Sequence, residues 1–258
     1  MLSPNVDPPE RQPERSRLVA VVGSIGYIAG VYVFLVAAFL TLGIAVAATL
    51  LLTGTMDALE EFLTGPGMLV VLAAEPALMG VGTVIAAAIS FSLGWIPKRV
   101  VGIAVPTHRQ LLVGAGSVLV LLVVASGLSL IAETAGVPAS EHTLFEEDAA
   151  ASYYLALMVI SILLIGPVEE LLFRGLIQNY MRPAFGSMGA IVTTSVLFAA
   201  IHILAYLTGP ISTALVSLVV VFVLSLVLGA IYERYRNIVL VMLIHGVYNA
   251  VLFGFQLL

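Results

Sequence analysis

Two adjacent glutamates and one arginine interrupt an apolar stretch in the second half of the chain, "LLIGPVEELLFRGLIQN" at 163–179. Ionisable side chains at membrane depth are costly and generally mark a functional site. Glu170 and Arg174 are four residues apart on one helix face, so we predict an ion pair between them that supports the site. Glu169 is turned by about 100° from Glu170 and is left to face the interior.

Two further motifs follow on later apolar segments: "FAAIH" ends at His202, and "HGVYN" runs from His245 to Asn249. His245 and Asn249 share a helix face, where an imidazole and an amide can donate hydrogen bonds to one developing oxyanion. Phe198 and His202 also share a face, which places the phenyl ring beside the imidazole. Counted by helix rise from the inner boundary of each segment, Glu169 and these polar groups lie at roughly 12–24 Å, so we predict one shared site.

The chemistry that these side chains suit is hydrolysis of an amide bond. A carboxylate and a histidine that share a water molecule make a general base, and a second histidine with an asparagine makes an oxyanion hole. The chain has no cysteine, no GxSxG, no HExxH and no pair of intramembrane aspartates, which argues against thiol, serine, zincin-type and aspartic proteases. A metal site of Glu169, His202 and His245 stays open as an alternative. Glu75, which precedes a proline, has no evident partner and is interpreted as structural.

The composition places these groups in a membrane. Of the 258 residues, 61% are hydrophobic and 10% are charged, and the mean hydropathy is +1.14. Soluble domains carry roughly a quarter charged residues, so we predict an all-α, polytopic helical membrane protein with a polar cavity at mid-membrane. The net charge is −5 and the basic residues are scattered, so nucleic-acid binding is not expected.

The apolar segments predict about seven transmembrane helices, or eight if the first is split in two. The predicted spans are 18–52, 67–96, 110–132, 149–182, 186–206, 211–231 and 238–258. Seven spans put the basic residues on one side and acidic loops on the other, which predicts a cytoplasmic N-terminus and an external C-terminus in the cell membrane. We divide the chain into a disordered cytoplasmic tail (1–17), N-terminal helices without a motif (18–148) and a catalytic domain (149–258).

The ordered set "EELLFR", "FAAIH" and "HGVYN" resembles the CPBP family, the CAAX proteases and bacteriocin-processing enzymes also called the ABI family. Its best-known branch is the type II CAAX prenyl endopeptidases. The resemblance implies a glutamate intramembrane endopeptidase, without a cofactor, whose cavity is open to the cytosol and to lipid. Its substrate would be a lipidated or membrane-embedded peptide, such as a prenylated CAAX segment.

Carried over to this chain, the resemblance gives each motif residue a role. Glu169 would be the base on water and His202 would help to hold that water. His245 and Asn249 would stabilise the oxyanion, with Glu170 and its ion-pair partner in support. Three alternatives stay open: a metal-dependent version of the same protease, a non-enzymatic membrane scaffold like the bacteriocin-immunity proteins, and a transporter or proton relay.

Overall fold

The chain is helical wherever its structure is described. The computed structural model describes residues 14–65, 67–146 and 148–258, so most of the predicted disordered tail lies outside it. The helices are α1 (Arg17–Thr53), α2 (Met56–Thr64), α3 (Gly67–Ser92), α4 (Lys98–Val101), α5 (His108–Thr134), α6 (Ala151–Ile160), α7 (Gly166–Glu170), α8 (Asn179–Ile201), α9 (Ile203–Tyr206), α10 (Ile211–Tyr235) and α11 (Ile238–Gly254). Wide π-type turns, Ser161–Ile165 and Leu171–Gln178, join α6 to α7 and α7 to α8.

Six helical segments of the described chain are long and apolar enough to cross a membrane. They are α1, α3, α5, the continuous stretch Ala151–Ile201, α10 and the C-terminal Ile238–Leu257. This confirms the prediction of an all-α, polytopic membrane protein. The first segment, α1, is one unbroken helix of 37 residues, so the structure does not contain the break that an eighth span requires.

The stretch Ala151–Ile201 reverses direction at Gly186. The backbone there has φ 68° and ψ 179°, a conformation that is essentially restricted to glycine because it has no Cβ. Thr193 donates a hydrogen bond to the sulfur of Met181 at 2.8 Å, which two residues so far apart on a straight helix could not do. The stretch is therefore two helical arms that meet at Gly186, and it counts as one of the six membrane-length segments of the described chain.

The two ends of this bundle form two distinct faces. The N-terminal face is the end at which α1 begins, and there Arg182 pairs with Glu233 of α10 at 2.8 Å. The loop face is the opposite end and carries the described loop residues 135–146 and 148–150. The backbone N–H of Thr143 in this loop donates to the carbonyl of Ala205 at 2.9 Å. The loop is thus attached to the segment that joins α8 to α10.

Candidate active site

Glu169 and Glu170 lie in α7, a single turn of α-helix between two wide π-type turns. A π-type turn shifts the phase of a helix and is frequent at functional sites. Both glutamates are at mid-bundle, where α7 packs against α11 and α3. The local backbone therefore presents two carboxylates to different neighbours within the protein interior.

Glu170 is the centre of a buried ionic network. Its Oε1 accepts a hydrogen bond from Arg174 Nη1 at 3.0 Å, as the four-residue spacing predicts. The same oxygen accepts from His245 Nδ1 at 2.8 Å. Arg174 also donates to the carbonyl and the hydroxyl of Ser225, at 3.1 and 2.9 Å. Glu170 and Arg174 have no exposed surface, so each charge depends on its partners for stabilisation.

Glu169 faces both histidines of the predicted site. Its Oε2 is 3.9 Å from His202 Nε2 and 3.8 Å from His245 Nε2. These distances exceed that of a direct hydrogen bond and suit groups that share one bridging molecule. The Oε2 atom is buried and has no hydrogen-bond partner among the described residues. A small polar molecule bound here would satisfy it.

The hydrogen bonds of the two imidazoles fix their tautomers. His202 Nδ1 contacts the carbonyl of Phe198 at 2.7 Å, and a carbonyl only accepts, so this nitrogen carries the proton. His245 Nδ1 contacts the same Glu170 oxygen that accepts from Arg174, and an oxygen that accepts from both needs a donor here, so this nitrogen also carries a proton. In each ring the Nε2 atom is the one turned towards Glu169.

Phe198 and Asn249 complete the predicted set. The centroid of the Phe198 ring lies 4.5 Å from the centroid of the His202 imidazole. The Cζ atom of Arg174 lies 4.9 Å from the same Phe198 centroid, over the face of the ring. Asn249 is one helical turn beyond His245 and lines the same cavity. Its side chain makes no hydrogen bond with any described residue, so its amide is available to a ligand.

Two glycines bring α11 close enough for the contact between His245 and Glu170. A Cβ atom on Gly246 would lie 2.7 Å from the carbonyl oxygen of Ser161, and one on Gly166 would lie 2.6 Å from the backbone nitrogen of Gly246. Real Cβ atoms essentially never approach backbone so closely, so both positions require glycine. His245 directly precedes this contact, and its position is therefore set by helix packing.

A cavity of about 480 Å³ lies above Glu169, His202, His245 and Asn249, within the size range of ligand pockets. It is also lined by polar groups that the motifs do not include: Tyr32, Glu75, His142, Tyr206 and Tyr248. Glu75, interpreted above as structural, is among them. No sequence pattern marks these residues, because they lie on separate helices and on a loop that only the fold brings together.

Within residues 14–65, 67–146 and 148–258, no group of three or more His, Asp or Glu side chains is placed to hold a metal ion. Glu169 Oε2 faces both histidines, at 3.8 Å from His245 Nε2 and 3.9 Å from His202 Nε2.

The segment of the chain that carries the motifs matches a known protein family. Residues 151–251 match the family model described as Type II CAAX prenyl endopeptidase Rce1-like. We call this matched segment the Rce1-like domain. The Rce1-like domain covers less than half of the chain and contains all the predicted site residues: Glu169, Glu170, Arg174, Phe198, His202, His245 and Asn249. It implies a protease that is embedded in a membrane and acts on a membrane-associated substrate. No curated protein and no solved structure shows a significant match to the chain.

Proposed function

We propose that this protein is an intramembrane endopeptidase in which Glu169 activates water to attack a peptide bond. The observation that carries the proposal is the position of Glu169 Oε2, buried without a partner and 3.8–3.9 Å from two imidazole Nε2 atoms. This group lies at the bottom of a cavity, and the residues that form it belong to the segment that matches the Rce1-like family. A water molecule bound between these three atoms would lie within hydrogen-bond distance of each.

The general base is the pair Glu169 and His202. Because the Nδ1 proton of His202 is donated to the Phe198 carbonyl, its Nε2 has a free lone pair that can accept a proton from water. Glu169 Oε2 accepts the other proton of the same water. Two acceptors on one water orient its oxygen lone pairs towards the cavity, where the scissile carbonyl would lie.

The oxyanion hole is the pair His245 and Asn249. His245 lies between two carboxylates, Glu170 at 2.8 Å and Glu169 at 3.8 Å, and only the first has an arginine partner. An imidazolium at this position balances the second carboxylate in a low-dielectric interior and can donate from Nε2. The free amide of Asn249, one turn away, supplies the second donor. The hydrogen bonds from both donors would strengthen as negative charge develops on the carbonyl oxygen of the substrate.

The substrate class that we propose is a membrane-associated peptide, cleaved near its C-terminus. The lining of the cavity combines apolar side chains with a few polar groups, which suits a peptide that carries an apolar or lipid group. A prenylated CAAX peptide is the form that the family name suggests. The protein would lie in the cell membrane with its N-terminus in the cytoplasm, because basic residues cluster at the N-terminal face.

Peptide cleavage by purified protein in nanodiscs, where both faces are accessible, tests the proposal. A farnesylated CAAX peptide and its unprenylated counterpart would be incubated with wild type, Glu169→Gln and the loop variant Glu141→Gln. We expect cleavage of the farnesylated peptide by wild type and Glu141→Gln and none by Glu169→Gln, with or without a chelator. Activity that a chelator removes and a divalent metal restores would favour the metal-dependent alternative. Equal activity of Glu169→Gln and wild type would contradict the proposal.

A further inference from the structure

A second cavity lies at the N-terminal face, between the start of α5 and the end of α10. Its volume is about 410 Å³, and it shares no lining residue with the active-site cavity. The residues that line it are Thr107, Arg109, Gln110, Leu112, Val113, Arg234 and Tyr235. Of these described residues two are cationic and none is acidic, so we call this space the arginine cavity. Its charge suits an anionic ligand.

The charges of the two arginines are not neutralised within the protein. Arg109 makes no hydrogen bond or ion pair with any described residue. Arg234 stacks over the ring of Tyr235, with 5.6 Å between its Cζ atom and the ring centroid, and has no carboxylate partner in the described chain. Glu233, the acid next to it in sequence, is instead paired with two other arginines, at 2.8 and 3.2 Å. Two like charges that line one cavity repel each other, and an anion bound there would remove that repulsion.

The backbone that carries Arg109 is held in place by a capping box at the start of α5. The Thr107 hydroxyl accepts from the backbone N–H of Gln110 at 3.3 Å, and the Gln110 side-chain oxygen accepts from the Thr107 N–H at 2.8 Å. Asn237, two residues after the end of α10, donates to the same Gln110 oxygen at 3.3 Å. The two walls of the arginine cavity are thus tied together, so a ligand would have to order only the arginine side chains.

The arginine cavity has a polar side and an apolar side. Arg109 and Arg234 are exposed at the end of the bundle. Leu112, about one turn further along α5, also lines the cavity and is 62% exposed. Leu119 and Val123 are exposed as well and follow Leu112 on the same helix face, at spacings of seven and eleven residues. A ligand whose anionic group contacts the arginines would therefore find an exposed apolar helix face beside it, on which an acyl chain can lie.

We propose that the arginine cavity binds the phosphate of an anionic phospholipid, with Arg109 and Arg234 as the cationic contacts and an acyl chain along the face of Leu112. Basic pockets between transmembrane helices recognise such headgroups, and a guanidinium group can donate two parallel hydrogen bonds to one phosphate. A free phosphate ion would pair with the arginines but would leave the apolar face uncovered. The lipid is therefore the ligand that this arrangement favours.

A lipid bound here would contact two helices that also build the active-site cavity. Leu121 of α5 and Leu224 of α10 line that cavity, deeper in the same bundle. The lipid would hold the outer ends of these helices together and stabilise the fold by binding only to the native state. The site does not depend on the proposed hydrolysis, since no residue of the arginine cavity lines the active-site cavity.

Lipid binding to the purified, delipidated full-length protein tests the proposal. Native mass spectrometry in detergent would measure the affinities of phosphatidylglycerol and phosphatidylcholine, with identical acyl chains, for wild type, Arg109→Gln, Arg234→Gln and the double variant. Both arginines are exposed, so these substitutions leave the packing intact. Lys98→Gln is the matched control, because Lys98 is an exposed cation of the same face that does not line the cavity. Melting temperatures with phosphatidylglycerol or with inorganic phosphate would distinguish the lipid from the free ion.

We expect wild type and Lys98→Gln to bind phosphatidylglycerol more tightly than phosphatidylcholine. Each arginine substitution should lower the affinity for phosphatidylglycerol by about fivefold, and the double variant by about 25-fold, as expected for single basic side chains beside anionic lipid. Binding of phosphatidylcholine should not change. The melting temperature of wild type should rise with phosphatidylglycerol and not with inorganic phosphate.

Three results would overturn the proposal. An equal loss of affinity in Lys98→Gln would show that the whole face attracts the lipid, and equal affinities of wild type for the two lipids would show that the headgroup is not recognised. An equal rise in melting temperature with inorganic phosphate would assign the cavity to the free ion. These measurements require no peptide cleavage, so they also distinguish failure of this proposal from failure of the proposed protease activity.

Discussion

At the scale of single residues, the two histidines of the candidate site differ in their hydrogen-bond partners. His202 donates its Nδ1 proton to a neutral carbonyl, whereas His245 donates to a carboxylate. A carboxylate partner stabilises the doubly protonated ring, and a carbonyl does so less strongly. In the proposed mechanism, this difference suits His202 to the transfer of a proton from water and His245 to a hydrogen bond with the oxyanion.

The proposed role of Asn249 predicts a kinetic effect of its removal. Asn249→Ala should lower kcat by about 10²–10³-fold with a smaller change in KM, as expected when one oxyanion donor is lost. The matched control is Leu252→Ala, which removes volume from the same cavity wall but no donor. Steady-state kinetics of both variants on the peptide substrate would distinguish the loss of a hydrogen-bond donor from the loss of packing. Equal losses of kcat in the two variants would assign Asn249 to packing.

The buried ion pair predicts a loss of stability when one partner is removed. Arg174→Ala leaves the Glu170 carboxylate with one partner fewer in a fully buried position, so the free energy of unfolding should fall by about 3–5 kcal/mol. Arg182→Ala is the comparison, because Arg182 pairs with Glu233 at the surface with 46% of its side chain exposed. That variant should lose less than about 1 kcal/mol. Thermal unfolding in detergent would measure both, and similar melting temperatures would contradict the structural role.

Sequence spacing predicted one contact of the buried network around Glu170 and did not predict another. The contact between Glu170 and Arg174 follows from their four-residue separation on one helix. The contact between Glu170 and His245 joins residues 75 positions apart, so only the packing of α7 against α11 creates it. The direct orientation of His245 by Glu170 was therefore not predictable from either motif alone.

At the scale of helices, a close approach between α11 and the segment that carries the glutamates positions the site. Gly246→Ala should push these helices apart, because the new Cβ meets the backbone of Ser161 and Ile162. We expect a loss of roughly 1–3 kcal/mol, typical of overpacking, and a larger loss of activity since His245 would move from Glu170. Gly254→Ala on the same helix is the control, with its new Cβ in ordinary contact with Met158 at 3.6 Å. Unfolding and peptide cleavage by both variants would test this, and a Gly246→Ala protein with wild-type activity would refute it.

The helices themselves were largely predictable, and their irregularities were not. Hydropathy gave the spans within a few residues, because a membrane-crossing helix needs a long apolar run. The reversal at Gly186 falls at the predicted boundary between the spans 149–182 and 186–206. The two π-type turns around α7 carry no such signal, since a change of hydrogen-bond register does not alter the hydropathy of a segment.

At the scale of the whole molecule, the N-terminal helices take part in the site although they carry no motif. Tyr32 of α1, Glu75 of α3 and Leu121 of α5 line the cavity together with the Rce1-like domain. The motifs predicted the bottom of the cavity and not its walls. The walls depend on helix packing, which a single sequence does not reveal. Selection of the substrate, as distinct from the hydrolytic step, is thus expected to depend on residues outside 151–251.

The loop over the cavity contains a histidine whose neutral form the fold requires. The backbone N–H of Leu144 donates to His142 Nδ1 at 3.1 Å, so this nitrogen cannot carry a proton. Burial, with a smaller effect of His202 from α8, lowers the pKa of His142 from 6.5 to about 4. The Tyr206 ring of α9 packs edge-on at 5.1 Å, and the described part of the loop also carries the acidic residues Glu141, Glu146 and Asp148.

The lowered pKa of His142 predicts that acid weakens the loop face. Because the folded protein binds this proton less readily than the unfolded chain, the stabilisation is complete above about pH 6.5 and is lost as the pH falls towards 4. The loss should reach at most about 3 kcal/mol at the lower limit. Melting temperatures from pH 7.5 to 4.5 would be compared for wild type, His142→Phe and His108→Phe, a histidine on the N-terminal face. Wild type and His108→Phe should lose stability more steeply than His142→Phe, and three parallel curves would show that His142 does not couple the loop to pH.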